Sequence, residues 1–252
     1  MDGTTGSVLA APLGYIAAGS SRRAQVLESH NINYWCEGDR LLGDVLAEKG
    51  LDPEMVIREL SAAGADDGET SEENWSNTTM QALIDHLQNA HHLYLKRELP
   101  ELSMIVARVS ILHGDVSSEL RELDDAFEWF RSDMEMLMRK EELVLFPMCL
   151  RLEGARERPD FFSETIETPI RHTAEQHKAA AYALARMCSL THQFSPAADS
   201  CDTYMEMVSR LSQLNRDTHL HVHEENNILF PRAIAMEKEL PPKASNMPVS
   251  ER

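Results

Sequence analysis

The stretch HVHEENNILFP (221–231) decides how this chain reads. It holds two histidines, two glutamates and a proline, and LMRKEELVLFP (137–147) repeats its ending 84 residues earlier. Superposed, Glu141 matches Glu225 and Pro147 matches Pro231, while Leu137 stands opposite His221. Helical residues three, four and seven apart share a face. Leu211, Leu214, His221, Glu225 and Ile228 therefore make one stripe. Phe127, Phe130, Met134, Leu137, Glu141, Val144 and Met148 make a second. Each stripe carries a carboxylate on an apolar face, where it needs a proton, a partner or a metal.

Four long helical patterns run from Thr78 to Met236, with breaks near Gly114-Asp115, at 154–160 and at 194–197. No strand alternation competes with them. Short joins between the first and second, and the third and fourth, predict an all-α fold, an antiparallel up-down four-helix bundle over 78–238. A small helical amino-terminal domain is expected at 10–62, a polar linker at 63–77 and a flexible tail at 239–252. Thr78 with Gln81 has capping-box spacing, and Thr168-Pro169 and Ser195-Pro196 read as helix starts.

The third helix aligns Ile170, His177 and Leu184 and turns His172 outward. On the fourth, His219 and His223 fall beside Asn215 and Asn226, opposite the apolar stripe, and read as solvated. In the first, NAHHLYL (89–95) offers His91 and His92; His91 is in better phase with Ile84, Leu87 and Leu95, and the choice stays open. At ~1.5 Å rise per residue, the first-helix histidine, Glu141, His177, His221 and Glu225 come to a common depth, whereas His113 lies roughly 31 Å beyond His92. Carboxylates and imidazoles together suit iron, manganese or zinc. Two bridging-capable glutamates point to two ions. The ferritin-type Glu-x-x-His spacing is absent; the chain has His-x-x-x-Glu.

Composition narrows the partners. A net charge of -18 over 252 residues argues against nucleic acid and anionic membrane. No run approaches the ~20 apolar residues of a membrane span. The start lacks the basic region of a signal peptide. Cys36, Cys149, Cys188 and Cys201 are scattered without C-x-x-C, which fits a reducing cytoplasm, and the last three read as packing residues.

HHLYLKRELPEL (91–102), KEELVLFP (140–147) and HEENNILFPRA (223–233) resemble the repair-of-iron-centres family of hemerythrin-like (HHE) bundles. VLESHNINYWCEGDRLLGDVLAEKGLD (26–52) is similar to the small domain that precedes the bundle in that family. The resemblance implies a non-haem di-iron centre, a role in nitrosative and oxidative stress, and repair of damaged iron-sulfur proteins. It also implies binding or reduction of nitric oxide, contact with O2, and donation of iron. Carried over by position, it implies the metal ligands His92 (against His91), Glu141, His177, His221 and Glu225. Two departures follow. The family's remaining histidine falls at 137, where leucine leaves one iron short of an imidazole, so that one or two irons would be held. Adjacent cysteines of the family become Trp35-Cys36, which leaves Cys36 as a single thiol, either redox-active or delivering metal, or simply packed. The small domain would deliver electrons, dock the client or make a homodimer. Competing readings are a carrier or sensor of O2 or NO without turnover, and a degenerate scaffold; enzyme activity is left open.

Overall fold

Thr79 opens the first bundle helix, its hydroxyl accepting from the Ala82 N–H at 3.1 Å. The N-cap is thus one residue beyond the Thr78 expected from capping-box spacing. Glu153 reaches across to accept from the Met80 and Gln81 N–H groups at 2.6 and 3.2 Å. Glu237 does the same for the Ile166 N–H, at 3.0 and 3.2 Å. A carboxylate from the end of one helix meets the positive start of its antiparallel neighbour in both cases, which satisfies orphan donors and complements the helix dipole. The expected starts at Thr168 and Ser195 shift as well: the third bundle helix begins at Glu167 and the fourth at Asp202, each with no side-chain cap of its own.

The computed structural model describes residues 3–18, 20–65, 75, 78–113, 117–196 and 200–242. The expected break at Gly114-Asp115 and most of the linker and of the tail lie outside them. The small unit comprises α1 (Gly3–Leu9), α2 (Leu13–Ala18), α3 (Ser21–Ser29), α4 (Leu42–Lys49) and α5 (Pro53–Ala65). Gly50 ends α4 at φ +64°, a left-handed conformation that glycine adopts without a Cβ penalty.

The bundle's first helix joins α6 (Met80–His86) to α7 (Leu93–His113) through a wide π-type turn, Leu87–His92. Its second joins α8 (Ser118–Lys140) to α9 (Phe146–Glu153) through Glu141–Leu145. The third is the uninterrupted α10 (Glu167–Leu190). The fourth joins α11 (Asp202–Glu224) to α12 (Phe230–Glu239) through Glu225–Leu229. Helix α8 packs between α7 and α10, and α11 closes the ring against α7 and α10. No strand occurs among the described residues, as the sequence predicts.

Two apolar clusters fill the interior. One joins the small unit's Leu13, Leu27, Tyr34 and Leu46 to Leu95, Phe130, Leu137, Leu184 and Leu214. The other gathers Leu83, Leu87, Leu145, Ile170, Ile228 and Phe230 at the opposite end. Every bundle helix passes from one cluster to the other, and a polar residue marks each crossing. His92 lies between Leu87 and Leu95, Glu141 between Met138 and Leu145, His177 between Ile170 and Ala180, and Glu225 between Val222 and Ile228.

Candidate metal centre

His92, Glu141, His177, His221 and Glu225 meet in this polar layer, and none retains any solvent exposure. Wide turns place three of them. An α-helix turns ~100° per residue, so residues five apart fall ~140° out of phase. The wide turn accommodates an extra residue and returns the fifth to the same face, a device frequent at functional sites. His92 thereby comes into line five residues after Leu87, and His91 rotates out of the centre. Strict 3.6-residue phasing favours His91, which the structure turns away from this layer, because it assumes an unbroken helix.

Glu141 and Glu225 each begin a wide turn. The Leu-Phe-Pro repeat then falls where the α-helix resumes, with Pro147 and Pro231 in its first turn. A proline needs no N–H partner there. The helix opens by one residue at the glutamate, ahead of the proline.

The distances sort the donors. Glu141 Oε2 lies 3.5 Å from His92 Nε2, and its Oε1 lies 3.4 Å from His177 Nε2. Glu225 Oε1 lies 3.4 Å from His221 Nε2, and its Oε2 lies 3.1 Å from His177 Nε2. His92 Nε2 and His221 Nε2 are 3.1 Å apart. All four carboxylate oxygens and His177 Nε2 are buried with no hydrogen-bond partner. Donors ~2.1 Å from a shared ion stand about 3.0 Å apart at right angles and 3.4 Å apart in a tetrahedron. The set therefore fits metal coordination, and without an ion it leaves buried acceptors unsatisfied at a cost of about 1–3 kcal/mol each.

The other imidazole nitrogens are tethered. His92 Nδ1 meets Glu142 at 2.8 Å, and Lys96 donates to the same Glu142 oxygen at 2.6 Å. His177 Nδ1 donates to Asn226 Oδ1 at 2.9 Å, and Asn226 Nδ2 donates to the Trp35 carbonyl at 3.0 Å. Such partners fix the tautomer and aim Nε2 at a metal. Burial lowers the His177 pKa, but the Glu141 and Glu225 carboxylates outweigh it and push it up to about 10. Burial raises Glu225, and His221 and His177 more than reverse this, holding it below the usual carboxylate range.

Leu137 is fully buried within the apolar cluster, where the repeat alignment has a histidine. His177 is thus the one imidazole on its side of the two carboxylates among the described residues. His113 lies away from the centre, 3.6 Å from the Cys201 thiol.

The chain belongs to the hemerythrin HHE cation-binding domain family. The family model described as "Hemerythrin HHE cation binding domain" matches residues 83–233, and a "Domain of Unknown function (DUF542)" matches residues 9–64. This hemerythrin-family chain is similar to the iron-sulfur cluster repair protein YtfE of Shigella boydii serotype 4 (strain Sb227), of Escherichia coli O157:H7 and of Escherichia coli (strain K12 / DH10B). Each is 28% identical over 226 residues, covering 90% of this chain and 97% of the relative. The two domains thus follow one another in the order that the likeness to repair-of-iron-centres proteins implies. Among the described residues, no helix is long and apolar enough to cross a membrane.

Several expectations change around the centre. His223 is buried, and His219 is partly covered rather than solvated: they form the face on which the small unit sits. Trp35 stacks on His219 with ring centroids 4.1 Å apart, and Tyr34 meets His223 edge-on at 5.1 Å. Asn227 Nδ2 donates to the Tyr34 carbonyl at 3.1 Å. A Cβ on Gly38 would stand 1.8 Å from Asn227 Oδ1, so only glycine permits this approach. Polar residues on a helix face imply water only when nothing else covers them. Cys201 is exposed just ahead of α11 rather than packed, while Cys149 is buried.

Cys36 lines a cavity of about 550 Å³ between the small unit and the bundle, together with Lys178, Asn226 and Phe230. Asn226 and Phe230 both contact His177, the latter with its ring parallel at 6.2 Å. Burial pushes the Cys36 thiol up to about 12, Lys178 opposing and Glu37 adding to the shift. At neutral pH it is therefore a thiol and not the nucleophilic thiolate. Sequence phasing missed Glu142, Lys96 and Asn226; the doubled glutamates of KEEL and HEEN were the available signal for the first.

Proposed function

We propose that this protein holds two non-haem iron ions among His92, Glu141, His177, His221 and Glu225 and uses them in nitrosative and oxidative stress, in the repair of damaged iron-sulfur proteins. The observation that carries the reading is the split of each carboxylate. One oxygen of Glu141 faces His92 and the other His177; one oxygen of Glu225 faces His221 and the other His177. That arrangement suits two bridges between two ions. His92 and His221 would serve one ion, His177 alone the other. Iron bound here would supply open coordination positions for nitric oxide or O2 and a reversible change of oxidation state.

The chain's own residues set the conditions. Glu141 and Glu225 supply two negative charges that offset the ions in a sealed apolar interior. Glu142 and Asn226 hold the His92 and His177 rings in place. Leu137 removes one imidazole from the His177 side, which makes that ion the easier one to donate to a damaged cluster. Names of the relatives, all iron-sulfur cluster repair proteins, support the same client class.

The test is iron per chain on protein purified without chelator, followed by incubation with an iron-sulfur protein whose cluster nitric oxide has destroyed. Near two irons, with one transferred to the client, is the expected result. Near one iron and no transfer would leave a mono-iron gas binder. No iron after anaerobic ferrous loading would sink the reading.

A further inference from the structure

Outside this centre, at the seam of the first and fourth bundle helices, a second group of donors converges. His86, His91 and Glu224 each offer one atom, all within 4.8 Å of one another. We propose that these three residues form a separate, single-ion site for a divalent first-row transition cation.

Geometry carries the proposal. His86 Nε2 lies 3.4 Å and His91 Nε2 3.6 Å from the same Glu224 oxygen. That oxygen and His91 Nε2 are both buried without a hydrogen-bond partner, and His91 as a whole retains 5% exposure. Separations near 3.4 Å match neighbouring donors of a tetrahedral ion at about 2.1 Å. A hydrogen-bonded ion pair would be shorter, about 2.7–2.9 Å.

The surroundings are those of a ligand set. His91 Nδ1 meets Asp217 Oδ1 at 3.0 Å. This carboxylate-histidine pairing places the proton on Nδ1 and leaves the Nε2 lone pair aimed into the cluster. Trp75 lies against the His86 ring, centroids 4.3 Å apart, and holds its orientation. His86 keeps 31% side-chain exposure, so the site opens to water, which can complete the coordination. Two imidazoles and a carboxylate suit zinc, ferrous iron or cobalt over magnesium or calcium.

The site shares no donor with the buried centre. The doublets His91-His92 and Glu224-Glu225 each send one side chain to the centre and one to the seam, because adjacent helical residues point ~100° apart. The wide turn at Leu87–His92 makes the pairing possible: it returns His91 to the face of His86, five residues earlier, with ring centroids 5.3 Å apart.

The experiment titrates the full-length, metal-free protein with Co2+, read by calorimetry and by visible absorption. His86→Phe keeps the ring against Trp75 and removes the donor; Glu224→Gln removes the carboxylate; His221→Ala weakens the centre instead. The expected result is one fewer Co2+ per chain in His86→Phe and in Glu224→Gln. Adding His86→Phe to His221→Ala should remove one further Co2+ per chain. Equal stoichiometry and affinity in wild type and His86→Phe would overturn the proposal and leave the cluster an ion-pair network. His86 is at the surface, so that variant decides the matter even if Glu224→Gln fails to fold.

Discussion

Position 137 concentrates the chemistry of this chain into one side chain. A leucine there is fully buried in the apolar cluster, four residues before Glu141 on the same helix. On the proposed two-iron centre, Leu137→His should slow removal of the second iron by a ferrous chelator, roughly tenfold or more. Stopped-flow chelation measures it, and identical release curves would show that 137 does not face the metal. Asn226 acts one shell out, between His177 and the Trp35 carbonyl. Asn226→Ala should weaken iron binding by about 10–100-fold, the usual cost of losing such a partner. Competition against a chelator of known affinity reads that loss directly.

At the scale of the element, the wide turns matter more than the prolines that mark them. The first sets the phase between α6 and α7, so that Leu83, Ile84 and Leu87 face one cluster while His92 faces the centre. Inserting one more alanine after the exposed Ala90 should exceed what this turn absorbs and rotate α6 by ~100° relative to α7. Leu83, Ile84 and Leu87 would leave the core at about 1.5–3 kcal/mol each. A fall in Tm with loss of iron is expected; an unchanged Tm would show that the turn sets no phase.

The α11 face beneath the small unit gives a pH prediction. Burial lowers the His223 pKa from 6.5 to about 4, with Glu224 opposing, and Asn227 donates to its Nδ1 at 2.9 Å. The folded state resists protonation here while the unfolded state does not. The contribution is therefore present above pH ~6.5 and is lost as pH falls toward 4, on the order of 3 kcal/mol in total. Urea midpoints between pH 7 and 4 should fall more steeply in wild type than in His223→Asn. Parallel slopes would remove His223 as the cause.

For the whole molecule, a charged layer divides two apolar clusters. Without metal, its buried acceptors remain unsatisfied, so ions that bind only the folded state should stabilise it. Free iron at 100 times its Kd should add about 2.7 kcal/mol, seen as a rise in Tm that a chelator reverses. A Tm indifferent to iron would instead favour a scaffold whose polar layer is vestigial.

Periodicity of 3.6, caps and breaks determined the helical class, the four-helix bundle and the inward stripes bearing Glu141, His177, His221 and Glu225, because those depend on interactions within a few turns. The choice of His92 came from a family resemblance and not from phase. Only the tertiary structure placed a wide turn at each ligand-bearing break in phase, since local periodicity is blind to one inserted residue. It alone covered His219 and His223 with Trp35 and Tyr34, and it alone brought His86 to His91 and Glu224. Those contacts join residues far apart in the chain or five apart in a helix, and burial and donor geometry at such distances exist only once the helices have packed.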